Sequence, residues 1–269
     1  MPHTAETKTT IDGIRRVAAL GLGCMEVEFV QGVRMGEAGA RLVAEVAAEE
    51  GIKLSAHAPY YINFNAHEPE KIIASQERLY RTAHIGSLCG AQSAVFHAAF
   101  YLGDPPEQAF ETVKKYVGEL MVRLRQENNL ICIRPELMGK PSQFGSLDEI
   151  IRLCGEVEGL APCIDFAHWH ARSGANNSYP EFTDTLSQIG EKLGKDALDN
   201  MHIHFSGIHY GPKGERNHLN LTDSDLNYTE LLKALKDFDI GGLVICESPN
   251  REEDALLLRD TYQSMVKTG

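Results

Sequence analysis

Asp165 and His168 are residues of the right type and spacing to hold a metal ion. They follow a short apolar run, Leu160 to Ile164, with a carboxylate and, three residues on, an imidazole. Five other apolar runs finish in the same way, on His57, His97, Glu136, His204 and Glu247. A set of imidazoles and carboxylates without thiolates suits zinc, with manganese or iron as substitutes. Taken singly, a histidine at a strand end is more often a hydrogen-bonded turn residue, and an acid more often a helix cap. A series of such ends along one chain argues for a shared site.

The elements that must present these residues alternate from end to end. Period-two or continuously apolar runs at Met25–Val30, Lys53–His57, Ser93–His97, Leu130–Glu136, Leu160–Asp165, Met201–Phe205 and Gly242–Glu247 are expected strands. Between them, apolar residues at helical spacing predict helices over Ile11–Leu22, Gly36–Glu50, Pro69–Leu88, Pro105–Asn128, Tyr179–Leu193, Tyr228–Phe238 and Arg251–Val266. Ser146 and Glu149 form a capping box that opens a further helix, to Glu156. The intervals between the six strand-end residues are 40, 39, 29, 39 and 43 residues. Repeated βα units of that size predict an α/β fold of the TIM (β/α)8 type, one domain over residues 1–269, with its chemistry at the C-terminal ends of the strands. A doubly wound sheet is the alternative, but its site sits at one switch point rather than on every strand. Seven strands are legible. The eighth should precede Ile11, where Met1–Thr7 is a poor strand, so the first strand is irregular or absent.

Composition narrows the class. The net charge is −12 with histidines neutral, a poor first sign of nucleic-acid binding; part of the excess acid could be a metal site counted without its metal. Cations follow the strand ends at Arg34, Lys140, Arg172, Lys213, Arg216 and Arg251. They could form a basic rim on an acidic body, and for any one of them an ordinary solvated charge is as good a reading. Six cysteines with no C-x-x-C read as buried, reduced side chains. With no apolar window of about 18 residues, no membrane span is expected, and the cytoplasm is the expected location.

The motifs His57-Ala58-Pro59-Tyr60-x-Ile62-Asn63, Phe96-His97, Pro135-Glu136, Cys163-Ile164-Asp165-x-x-His168, His204-Phe205-Ser206 and Glu247-Ser248-Pro249 resemble the successive ligand motifs of the endonuclease IV family of apurinic/apyrimidinic endonucleases, xylose-isomerase-like TIM barrels. The resemblance implies a centre of three zinc ions. His57 and His97 would hold the first, Glu136 would bridge it to the second, and Asp165, His204 and Glu247 would complete the second. His168 would hold the third with two residues of the segment Glu215-Arg216-Asn217-His218. Where the family has an acid, one residue and a histidine, this chain has one residue more, so His218 and Asn217 both stand as candidates beside Glu215, and two metals rather than three is an open alternative. His202 shares a strand face with His204 and is the alternative there.

The same resemblance implies hydrolysis of DNA on the 5′ side of abasic sites, with Glu136 and Glu247 at the reacting centre. Tyr60, Tyr61, Arg34, Lys213 and Arg216 would face the DNA. A monomer is expected, or a dimer where the barrel seam is open. A sugar isomerase or epimerase of the same superfamily is the second reading, since Glu136, Asp165, His204 and Glu247 would suffice for one metal. A metal-binding barrel without turnover is the third. Arg134 shares a face with Glu136 and is expected to lie buried, paired with Glu26 or Glu28.

Overall fold

Parallel strands form where the chain is apolar on both faces, and helices form between them. The computed structural model describes residues 2–266 and contains seven parallel strands. These are β1 (Cys24–Glu28), β2 (Lys53–His57), β3 (Ala91–Phe96), β4 (Cys132–Pro135), β5 (Cys163–Asp165), β6 (Met201–Phe205) and β7 (Gly242–Cys246). Each is separated from the next by at least one helix. All five residues of β6 are buried, as expected of a parallel strand covered on both sides. No strand precedes the first helix, Thr10–Ala19, among the described residues.

The chain divides into two compact units. The first comprises Met1–Glu136 and Ser142–Ala161, the second Leu137–Pro141 and Pro162–Gly269. In the first unit the sheet order is β1-β2-β3-β4, with Glu28 beside His57 and His57 beside Val95. Its core includes Phe64 against Phe96, edge to face at 5.9 Å, and Phe110 near Phe144 at 6.2 Å. In the second unit the order is β7-β6-β5, and the register sets Asp165 beside His204 and Cys163 beside His202. Phe166 meets Phe182 edge to face at 5.9 Å. Burying each such ring contributes about 2 kcal/mol.

The expected elements correspond closely to the observed ones at Lys53–His57, Pro69–Leu88, Tyr179–Leu193 and Met201–Phe205. The Ser146–Glu149 capping box is present with both reciprocal hydrogen bonds. Three differences matter. After Asp165, where no helix was expected, comes a helix, Phe166–Ser173, closed by Gly174 in the left-handed region at φ 67°. A two-stranded antiparallel hairpin, Gly207–Gly211 with Gly214–Leu219, comes after β6, where no element was expected. A short antiparallel pair joins Ala99–Phe100 to Gln143–Phe144.

Arg134 is buried as expected, at 3% exposure. Glu26 is also buried and accepts a hydrogen bond from Ser55 Oγ at 2.7 Å, whereas Glu28 is exposed. All six cysteines are free thiols. Burial pushes Cys89 and Cys246 up to about 11, so they are inert at neutral pH. No described helix is long and apolar enough to cross a membrane.

Candidate metal centre

Each unit gathers imidazoles and carboxylates at the C-terminal ends of its strands. In the first, His57 ends β2, His97 follows β3 and Glu136 follows β4. His57 Nε2 and His97 Nε2 both lie 3.0 Å from Glu136 Oε2. His57 Nδ1 donates to the Ala58 carbonyl at 2.8 Å, which leaves Nε2 of the neutral ring as a lone pair. That lone pair faces a carboxylate oxygen, which is also an acceptor. A proton or a cation between them satisfies both, and two imidazoles converging on one carboxylate is a donor set that fits a divalent metal. Tyr60 packs its ring 5.7 Å from His57 and 5.3 Å from His97.

In the second unit the local structure begins with Asp165. Its Oδ1 accepts the His168 backbone N–H at 2.7 Å, making Asp165 the N-cap of the helix. An acid at N-cap and a histidine at the third helical position therefore share one end of the helix. Asp165 is fully buried, and His168 is 4% exposed. His168 Nδ1 donates to the Leu137 carbonyl at 3.1 Å. His218 Nδ1 donates to the Glu247 carbonyl at 3.2 Å. Both rings thus direct Nε2 at one another, 3.3 Å apart, with Glu215 Oε2 3.6 Å from His168 Nε2. Two neutral imidazoles cannot hydrogen-bond in that tautomer pair, whereas one cation answers both lone pairs and the carboxylate. Beside them His204 Nδ1 lies 3.4 Å from Glu247 Oε2.

The hairpin settles which residues of 215–218 face His168. The register shifts between Glu215 and Asn217, which pair with the consecutive residues Tyr210 and His209. A bulge absorbs the extra residue and re-aims the side chains beyond it. Glu215 and His218 consequently both approach His168. Asn217 is exposed and is engaged by its neighbours: its side-chain N donates to the His218 carbonyl, and its Oδ1 lies 3.4 Å from His209 Nδ1. Of the two histidines of β6, His204 lies level with Asp165, and His202 one layer deeper with Cys163.

Residues that the sequence did not reveal support the site. Leu137 and Glu247 act through backbone carbonyls, which no side-chain pattern reports. Arg172, expected on a basic rim, donates instead to the carbonyls of Met138 and Lys140 at 3.1 and 2.7 Å, and so fixes the 138–140 loop. Buried His170, on the His168 helix, lies 3.3 Å from Asp225 Oδ1, and Tyr210 of the hairpin donates to Asp225 Oδ2 at 2.8 Å. That carboxylate holds the Tyr210 hydroxyl above its ordinary pKa and ties the hairpin to the helix. Lys213, Arg216 and Arg34 are exposed. Tyr61 projects outward with 65% exposure.

Gly139 is a close approach that admits no side chain. A Cβ there would lie 2.7 Å from Glu215 Cβ and 3.1 Å from His168 Cδ2. Gly139→Ala is expected to push these two side chains apart and weaken the binding of any divalent metal between them about 10- to 100-fold, the usual cost of disturbing the surroundings of a metal ligand. Competition against a chromophoric chelator measures it.

Helix-covered parallel strands with imidazoles and carboxylates at their C-terminal ends define the class, and comparison with known proteins agrees. The chain belongs to the xylose isomerase-like TIM barrel family, whose model matches residues 14–267. An uncharacterized protein of Methanocaldococcus jannaschii is 45% identical over 267 residues, 98% of this chain and 95% of its own. A probable endonuclease 4 of Mycoplasma genitalium is 25% identical over 202 residues, 73% of this chain and 67% of its own. Among solved structures, endonuclease IV from Thermus thermophilus superposes with a TM-score of 0.76 at 18% identity, covering 97% of both chains. A D-tagatose 3-epimerase-like protein superposes with a TM-score of 0.75 at 15% identity, covering 95% of this chain and 92% of that one. These two structural likenesses speak for the fold.

Proposed function

We propose that this chain is a zinc-dependent phosphodiesterase that hydrolyses DNA on the 5′ side of abasic sites and leaves a 3′-hydroxyl. His57, His97 and Glu136 would hold the first zinc. Asp165, His204 and Glu247 would hold the second, and His168, Glu215 and His218 would hold the third. Bound zinc supplies hydroxide at neutral pH and positive charge for the phosphate oxygens.

The chain's own groups do the positioning. The carbonyls of Ala58, Leu137 and Glu247 fix three imidazole tautomers, so each Nε2 is presented as a lone pair. Tyr60 lies against the two imidazoles of the first cluster. Exposed Tyr61 is placed to wedge into a destabilised base stack.

The observation that carries this reading is the facing pair His168 and His218 with Glu215 beside them. A one-metal sugar isomerase or epimerase has no use for that third ligand set. The second reading draws on Asp165 and His204 side by side, with Glu247 next to His204. A duplex with one abasic analogue distinguishes the two. The zinc-loaded protein is expected to incise it 5′ to the lesion and to lose that activity with a chelator. Absence of incision together with epimerisation of a free ketose would replace this reading with the second.

A further inference from the structure

We infer that a groove in the first unit, lined by Arg34, Arg78 and Arg81, binds the phosphodiester backbone of a DNA strand outside the metal ligands. For the identity of that strand it rests on the phosphodiesterase reading above. The groove encloses about 440 Å³ between the loop after β1, Pro59 and the helix Pro69–Leu88. Arg78 and Arg81 are three apart on that helix and so share a face.

Several arginines elsewhere on the molecule meet carboxylates. Arg152 lies 2.7 Å from Glu107, Arg123 3.1 Å from Glu77, and Arg259 2.7 Å from Asp260. In the groove they do not. Arg34 donates to the neutral amide of Gln31 at 3.2 Å, and Arg78 to the Tyr61 carbonyl at 3.2 Å. Among the described residues no ion pair reaches Arg34, Arg78 or Arg81. The acid that lines the groove, Glu77, is turned to Arg123.

Three guanidinium groups without a carboxylate, in a chain of net charge −12, form a concave site for an anion. Their planar forks suit phosphate oxygens in particular. Pro59 stands two residues beyond His57, and Arg78 holds the backbone of Tyr61. A strand seated in the groove therefore runs past the Tyr60–Tyr61 loop beside the first metal cluster.

Fluorescence anisotropy of a labelled, undamaged duplex with the zinc-loaded full chain, over a series of salt concentrations, tests the inference. Arg78→Gln with Arg81→Gln is expected to weaken binding at least about 10-fold and to lower the slope of log affinity against log salt by about 1.8, or about 0.9 per lost phosphate contact. Arg81→Gln alone, whose side chain holds no ion pair, is expected to lower it by about 0.9. The corresponding lysine variants should restore most of the slope. Affinity and slope equal to wild type in the glutamine variants, or no duplex binding by the wild type, would overturn the inference. Incision is scored separately. Wild-type incision with an unaltered slope in the variants removes the groove and leaves the phosphodiesterase. Groove-dependent binding without incision does the reverse.

Discussion

Incision by Glu136→Gln is expected to fall on the order of 10³-fold, the scale of losing a dominant electrostatic contribution to a transition state. The reason lies in what the two histidines need. His57 Nε2 and His97 Nε2 both point at one Glu136 oxygen from 3.0 Å. The carboxylate cannot donate to them, so a cation is the natural third party. A glutamine amide has the same shape but carries N–H groups that hydrogen-bond an imidazole lone pair directly. The variant would then satisfy the buried cluster without metal. Its fold should survive, and its Tm should no longer rise on zinc addition at this site, whereas zinc at about 100 times its Kd would stabilise the wild type by about 2.7 kcal/mol. Single-turnover incision and thermal unfolding with and without zinc measure both halves. A fully active variant would show that Glu136 holds no metal.

Gly242→Ala is expected to be the most destabilising small substitution in the second unit. Gly242 opens β7 at φ 119°, where a side chain is strained, and its partner in register is Met201. A Cβ there would lie 1.9 Å from the Met201 carbonyl oxygen and 2.6 Å from the Met201 nitrogen. Backbone atoms cannot swing aside as the end of a side chain can. The strand must shift against β6, and with it Glu247 at its far end, next to His204. A loss of about 3 kcal/mol is expected, lowering Tm by about 6 to 12 °C. Thermal unfolding gives the answer, and an unchanged Tm would mean that β7 enters the sheet differently.

Much of this architecture is legible in the sequence because burial on both faces leaves a strong apolar signal. Lys53–His57 and Met201–Phe205 are bounded by the residues where that signal stops, and the long helix Pro69–Leu88 by its proline start and Gly90 end. Strand ends carrying a histidine or an acid then stand out. The helix after Asp165 escaped notice because Phe166-Ala-His-Trp-His-Ala-Arg-Ser is only eight residues long, too short for periodicity to speak. Its N-cap is the same carboxylate that reads as a ligand. The Gly207–Leu219 hairpin escaped because its second strand, Gly-Glu-Arg-Asn-His-Leu, is polar, as a partly exposed two-stranded ribbon is free to be. With the hairpin unseen, the bulge could not be foreseen, and the choice between Asn217 and His218 stayed open. Backbone carbonyls such as those of Leu137 and Glu247 have no sequence signature. They decide which imidazole nitrogens face the site, and only coordinates reveal them.

The claim on which the rest depends is that these converging imidazoles and carboxylates hold several metal ions at once. Zinc content after loading and exhaustive desalting, determined by elemental analysis against protein concentration, tests it directly. About three zinc ions per chain are predicted from the three ligand sets, falling by about one in His168→Ala/His218→Ala. A single zinc per chain, or none, with the double variant indistinguishable from wild type, would contradict the account.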